Sequence, residues 1–292
     1  MSVIPAPSHP TSVAVVMTCH NRRERTQASI ESIRRSARHL PRGYSVHIIV
    51  VDDGSTDGTH QLLQSLRPHL SILRGDGQLF WNGGMRRAFG LALEQNHDFY
   101  LWLNDDVVLF ETAMPQMLET HDALIKKYGN GGIVVGSTCD DRGQITYGGR
   151  RRRSKLNPLW LSFVYSTDQA LSCETFNGNC VLISANAAET LGNLDPAFVH
   201  NMGDLDYGFR ALKKGVPQWV MPGFVGRCVI GPRVDQSGRD PSIPFVERWQ
   251  RIISAKALPP RAWAIFCKRH AGYLWPAIWT WTYLKVVIRL FY

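Results

Sequence analysis

A chain of 292 residues, 44% hydrophobic and 20% charged, is long enough to bury a sizeable core, and its composition excludes a disordered protein. The formal net charge of +9 points to an anionic partner, either nucleotide phosphates or an acidic membrane surface. Nucleic acid is not expected, because no zinc-finger spacing or recognition-module signature accompanies the charge. Six scattered cysteines without a Cys-x-x-Cys pair read as reduced thiols. Residues 1–12, rich in Pro and Ser, lack the pattern of a secretory signal and read as extended or disordered. The expected location is cytoplasmic, with a peripheral place on the inner face of the cell membrane as an option.

The chain opens with a β-branched run, Val13 to Met17, that stops at Thr18-Cys19-His20-Asn21. From Arg22 to Arg38 the apolar residues Ile30, Ile33 and Ala37 recur at helical spacing. A second strand, Val46 to Val51, stops at Asp52-Asp53-Gly54-Ser55-Thr56-Asp57, where Thr56 or Asp57 can cap a helix running through Leu62, Leu63 and Leu66. Leu70 to Leu73 is a third strand. Gly75 to Gly84 reads as a glycine-rich loop leading into a helix from about Met85 to Gln95. The fourth strand, Tyr100 to Leu103, is a short apolar run that breaks off at Asn104, Asp105 and Asp106.

Strands alternating with helices predict an α/β fold with a mainly parallel sheet covered on both faces. Ligands bind such sheets at the carboxyl ends of the strands. Three strand ends here are polar: Thr18 with Asn21, Asp52 with Asp53, and Asp105 with Asp106. Taken alone, Asp105 and Asp106 also suit a turn or a helix cap before Glu111. Several polar strand ends on one edge favour a site. Two adjacent carboxylates need compensation, for which Mg²⁺ or Mn²⁺, sharing carboxylate and phosphate oxygens, is the natural candidate.

The second half is less regular. Ile133 to Val135 and Gln144 to Tyr147 read as neighbouring strands, followed by Arg150-Arg151-Arg152-Arg153, which is either a solvated loop or a holder for a diphosphate or acidic head group. Phe176 to Ile183 pairs a polar turn with a strand, Ala185 to Leu191 is a short helix, and His200 to Arg210 opens another, with Asp204 in its first turn. Residues 231–254 read as a long connection carrying Pro232, Pro241 and Pro244. The Trp-rich tail from Arg261 to Tyr292 holds an uncharged run of 14 residues, Ala271 to Leu284, too short for the roughly 20 a spanning helix needs. It reads either as an interfacial helix flanked by Lys268, Arg269, Lys285 and Arg289, or as helices packed on the core.

Four motifs, Val16 to Asn21, Val50 to Asp57, Leu101 to Asp106 and Gly203 to Arg210, resemble an inverting family 2 glycosyltransferase with a GT-A fold. The loop around Phe80 to Met85 is similar to bacterial polysaccharide enzymes that use rhamnosyl or related donors. The resemblance implies roles for matching positions in this chain. Thr18 and Asp53 would contact the nucleotide, beside Asn21, and Asn82, Gly83 and Gly84 would line the donor pocket. Asp105 would hold the ribose or donor sugar, and Asp106 a metal on the diphosphate. Asp204 would be the base, chosen over Asp206, which with Arg150 and Arg151 is left as an acceptor-side candidate. The partners implied are a nucleotide-sugar donor and a glycan or lipid-linked glycan acceptor, with an anionic membrane surface as a further partner.

Two positions depart from the family pattern: Gly203 stands where many relatives carry Glu, and Cys228, in Phe224 to Val229, where many carry a metal-binding His. A thiolate is a poor ligand for Mg²⁺. The rival activity is a nucleotidyltransferase, disfavoured because Thr18 to Glu24 lacks a glycine-rich phosphate loop; a binding protein that has lost activity is the non-enzymatic rival. The expected organisation is a GT-A domain over 13–230, with a nucleotide-sugar half (13–110) and an acceptor half (111–230), and a C-terminal extension over 231–292.

Overall fold

The computed structural model describes residues 10–68, 70–228 and 242–291, with side chains through Ile288. Most of the expected extended N-terminus and the connection through Pro232 and Pro241 lie outside the described residues. The first half alternates regularly: β1 (Thr11–Cys19), α1 (Arg23–Ala37), β2 (Tyr44–Asp52), α2 (Thr59–Ser65), β3 (Leu70–Arg74), α3 (Phe80–Glu94) and β4 (Phe99–Leu103). After it come β5 (Val108–Leu109), α4 (Ala113–Tyr128), β6 (Ile133–Cys139), β7 (Ile145–Tyr147), β8 (Gly149–Arg152), β9 (Leu161–Phe163), β10 (Leu171–Ser172), β11 (Thr175–Phe176) and β12 (Cys180–Ser184). The chain closes with α5 (Ala185–Leu191), α6 (Gly203–Lys213), β13 (Gln218–Arg227), α7 (Phe245–Ile253), α8 (Pro260–His270) and α9 (Trp275–Phe291).

The main sheet runs in the order β10-β13-β6-β12-β4-β1-β2-β3, so β4, the strand that carries the acidic pair, lies in its middle. From β4 to β3 every pairing is parallel, whereas β12 runs antiparallel between β4 and β6. Both faces are covered. Val13, Val15 and Met17 pack with Ile30 and Ile33 of α1 and Met114 and Met117 of α4. Their alternates Ala14 and Val16 pack with Met85 and Phe89 of α3 and Tyr207 of α6. This is the period-two pattern of a strand buried on both sides. Trp102 sits at the centre, fully buried and met by Phe89, Phe176 and Tyr207.

Three local expectations need correction. Asn82, Gly83 and Gly84 are not in a loop, because α3 already starts at Phe80. The Asp53 carboxylate accepts from the Gly77 and Phe80 backbone N–H groups at 2.8 and 2.9 Å, satisfying donors that a helix start leaves free. Gly84 also has a packing reason to lack a side chain, since a Cβ there would overlap Thr18 of β1. The four arginines are not a loop either: three of them form β8, paired with β9 and β11. Arg150 and Arg152, on one face of β8, stack their guanidinium groups on Phe163 and Phe209. Part of the supposed connection is α7, where Phe245, Trp249, Ile252 and Ile253 recur at helical spacing behind Pro244; the prolines had masked that period.

Of the two expectations for the tail, packing on the body holds for its first half. Ala262 and Phe266 of α8 join Phe198, Met202 and Phe209 in a third apolar cluster. Beneath it, the fully buried Asp206 of α6 accepts from Arg210, Arg269 and His270 at 3.0, 3.1 and 2.8 Å.

Candidate active site

The carboxyl ends of β1, β2 and β4 and the start of α6 border one cleft of about 620 Å³, within the size range of ligand sites. Thr18, Asp53, Asp105, Asp106 and Asp204 all line it, so the fold gathers residues spread over 187 positions of sequence. The Asp105 carboxylate is buried, and Asp106 is its more accessible neighbour. One guanidinium answers both: Arg22 Nη1 lies 3.0 Å from Asp105 Oδ1 and 2.9 Å from Asp106 Oδ2. Desolvation by burial nevertheless dominates at Asp105 and pushes its pKa up to about 7, with Arg22 opposing and Asp106 adding to the rise. Its second oxygen, Oδ2, is buried with no hydrogen-bond partner among the described residues.

That imbalance has a pH signature. The folded pKa of Asp105 lies above its ordinary 3.8, so the stability the group contributes is full below that value and is lost as pH rises through about 7. In EDTA, Asp105→Asn is therefore expected to exceed the wild type in stability by about 1–3 kcal/mol at pH 8, the gap closing towards pH 4. Thermal melts of the two proteins across this range check it. A variant less stable than the wild type at pH 8 overturns the reading.

The Asp204 carboxylate enters the cleft from a different element, the first turn of α6. It accepts from the Gly178 and Leu205 backbone N–H groups at 2.9 and 2.8 Å. Burial raises its pKa, outweighing those bonds and the attraction of Arg150. Met202, directly before α6, holds a positive φ of 74°, and Phe80, directly after the Asp53-bound loop, one of 52°. Bulky residues seldom adopt this conformation, and both of these line the cleft.

Other predicted residues hold the site together without lining it. Asn21, also at positive φ, accepts the Thr56 N–H at 2.7 Å and ties the β1 end to the β2 end. Asn82 is fully buried and donates to the Asp195 and Phe198 carbonyls, so with Gly83 and Gly84 it packs α3 behind the cleft. Arg150 donates to Asn177 Oδ1, a cleft residue, and Arg151 turns outward to the Ser172 carbonyl. Asp206 is withdrawn as an acceptor-side candidate, since its three cationic and ring partners leave it no exposed surface.

Several cleft residues escaped the sequence reading. Arg22 was the most accessible to inference, because it follows Asn21 at a strand end and the acidic pair demanded a cation. Trp81 donates its indole N–H to Asn104 Oδ1 at 2.7 Å, while Asn177, Asn179, His200 and Lys256 arrive from distant elements. His200 is kept neutral, its pKa lowered to about 4 by burial, with Lys256 and Arg22 adding to the effect. Cys228 lies 3.5 Å from Asp106 Oδ1, to which its thiol donates. Burial first, then Asp106, pushes the thiol pKa up, which favours the protonated thiol that donates to Asp106.

The sequence model of Glycosyl transferase family 2 matches residues 14–176, more than half of the chain. The chain belongs to this family. A family 2 glycosyltransferase transfers a sugar from a nucleotide sugar, which replaces the nucleotidyltransferase reading. The chain is 24% identical over 258 residues to the N-acetylglucosaminyl-diphospho-decaprenol L-rhamnosyltransferase of Mycobacterium tuberculosis, in two strains, covering 81% of this chain and 79% of the relative. Its fold is similar to that of a mannosyltransferase from Pyrobaculum calidifontis solved in complex with GDP-Man and Mn²⁺. That likeness has a TM-score of 0.54 at 16% identity, covering 98% of this chain and 76% of the other. It supports the GT-A fold expected for this glycosyltransferase.

Proposed function

We propose that this glycosyltransferase works with inversion and with a divalent cation, moving a rhamnosyl or related sugar to a hydroxyl of a glycan or lipid-linked glycan in cell-surface polysaccharide assembly. The observation that carries the reading is the separation of roles within one cleft: Asp105 and Asp106 with Arg22 at the β4 end, and Asp204 on α6. An inverting transfer needs a base distinct from the groups that hold the leaving diphosphate, and Asp204 is a carboxylate with no cationic partner in hydrogen-bond contact among the described residues. The choice of sugar and acceptor rests on the mycobacterial relative, whose name joins L-rhamnosyl transfer to a lipid-diphosphate acceptor.

The residues present fit Mg²⁺ or Mn²⁺. Asp106 and the unpartnered Oδ2 of Asp105 offer hard oxygen ligands. Among the described residues no three or more His, Cys, Asp or Glu side chains form a metal cluster, so the donor diphosphate would have to complete the coordination. When bound, the cation supplies charge neutralisation for the departing nucleoside diphosphate. Arg22 holds the two carboxylates in register and offers a planar donor group suited to phosphate oxygens. Asp53 fixes the loop before α3, and Asp204 takes the acceptor proton.

Asp106→Ala is expected to abolish Mn²⁺-dependent thermal stabilisation by a nucleoside diphosphate, with the apo protein still folded. Equal stabilisation by the same ligand in EDTA would sink the cation's role. A panel of nucleotide sugars tested for hydrolysis by the purified protein separates a transferase from a binder without activity.

A further inference from the structure

Charge along the chain is concentrated at one end. Residues 248–292 contain eight of the 33 Lys and Arg and none of the 24 Asp and Glu, so this stretch carries +8 of the net +9. The helices built from it are apolar on more than one side. The inner side of α9 packs: Trp279 donates to the Pro260 carbonyl at 3.1 Å and Tyr283 to the Leu258 carbonyl at 2.9 Å. Its outer side has no such cover. Ala277, Trp281, Leu284 and Ile288 follow at spacings of four, three and four and are all exposed, the last three at 55%, 46% and 44%. Tyr273, fully exposed, and Leu274, half exposed, extend this stripe in the turn before α9.

A soluble surface seldom keeps a continuous apolar stripe in water. Here the stripe is bordered by exposed Lys285, whose ammonium lies over the Trp281 ring, and Lys268 lies exposed on the adjoining α8. With 17 residues α9 is about 25 Å long, short of the roughly 30 Å hydrocarbon thickness. Among the described residues no helix is long and apolar enough to cross a membrane. We propose that the outer face of α9 docks flat on an anionic lipid bilayer, burying the Trp281-Leu284-Ile288 stripe while the basic residues around it meet the head groups. A second copy of this chain is the competing occupant. Pairing two such faces would bring two segments of +8 together, whereas an anionic surface neutralises them.

Docking also has a route to the cleft. Lys256, in the segment between α7 and α8, lines the cleft, and Asn201 Nδ2 donates to the Lys256 and Ala257 carbonyls at 2.8 and 2.9 Å. The segment on which α9 packs, through Tyr283 on Leu258 and Trp279 on Pro260, therefore also forms part of the cleft wall.

The test is co-sedimentation of the full chain with vesicles of phosphatidylcholine alone or mixed equally with phosphatidylglycerol. The wild type is expected to sediment with the mixed vesicles, less so at high salt. Trp281→Glu combined with Leu284→Glu is expected to lower the bound fraction by about tenfold or more, at unchanged melting temperature and unchanged nucleotide-sugar hydrolysis. Lys268→Glu with Lys285→Glu is expected to remove the preference for phosphatidylglycerol. Equal sedimentation of wild type and the Trp281/Leu284 variant overturns the proposal. So does a wild type that ignores vesicles but is a dimer by light scattering, split by the same substitutions, since the face would then be an interface between copies. Sedimentation does not read the chemistry of the cleft, so its failure and a failure of the proposed activity are distinguishable.

Discussion

Asp204→Asn is expected to lower kcat by about 10² to 10⁴, the usual contribution of a positioned general base, with donor KM nearly unchanged. The substitution removes charge and basicity but keeps an oxygen that can accept one of the two backbone N–H groups now held by the carboxylate. Loss of one acceptor is offset by removal of a buried charge whose pKa burial raises, so thermal stability should change by no more than about 1 kcal/mol. A purely structural Asp204 would leave the rate unchanged. The pH profile gives a second readout. A base must be ionised to act, and burial raises the pKa of Asp204, so the acid limb of kcat should lie above the ordinary carboxylate range. Wild-type turnover persisting unchanged through that range, or an Asp204→Asn variant with near-normal kcat, removes Asp204 from the chemistry.

The same geometry accounts for one departure from the family pattern. A Cβ on Gly203 would overlap Asn82 Oδ1, so the position before Asp204 has no room for the Glu that many relatives carry. Close packing of α6 on α3 takes its place, and Asp204 stands in the cleft without a helper carboxylate beside it. At the second departure, Cys228 keeps the place beside Asp106, to which its thiol donates.

How far the sequence could be read depended on the range of the interactions involved. The parallel half of the sheet was legible because each strand there is an apolar run that ends on polar residues, and strand ends of a parallel sheet share an edge. Asp53, Asp105 and Asp106 could be picked out for that reason, whereas Asp204, in the first turn of a helix, was reached only through the family resemblance. Asn82 misled because the Gly83-Gly84 pair following it resembles a loop; the signal that it belongs to a helix is tertiary, through Asp53 at the helix start and Thr18 against Gly84. Arg150 to Arg153 misled in the same way. A run of charges has no apolar alternation, and the aromatic rings that make it a strand face, Phe163 and Phe209, belong to distant parts of the sequence. Lys256 and His200 were out of reach because nothing local to either marks a cleft.

Asp206 gives the largest stability effect expected. Its carboxylate is fully buried, and three groups from two elements meet it: Arg210 of α6 at 3.0 Å, Arg269 of α8 at 3.1 Å and His270 of α8 at 2.8 Å. Burial alone would raise its pKa, but the His270 hydrogen bond and the charge of Arg210 outweigh burial and hold it below its ordinary value. His270 is lowered as well, burial dominating over the pull of Asp206, so the ring is neutral at pH 7 and donates through Nε2. Asp206→Ala leaves two guanidinium groups and that N–H facing an empty site. Breaking a buried ionic set of this kind costs about 3–5 kcal/mol. For a chain of this length the melting temperature should fall by about 6–10 °C at pH 7. Both folded pKa values are depressed, so the stability they contribute is present above the unfolded values. It is lost as pH falls, first at His270 below 6.5 and then at Asp206 below 3.8. His270 is present in both proteins, so the gap between wild type and variant should narrow only below 3.8, where Asp206 itself takes up a proton. Because the set joins α6 to α8, limited proteolysis of the variant should release the C-terminal helices faster than in the wild type. Melting and cleavage rates equal to wild type at pH 7 would show that α8 is held by its apolar contacts with Phe198 and Phe209 alone.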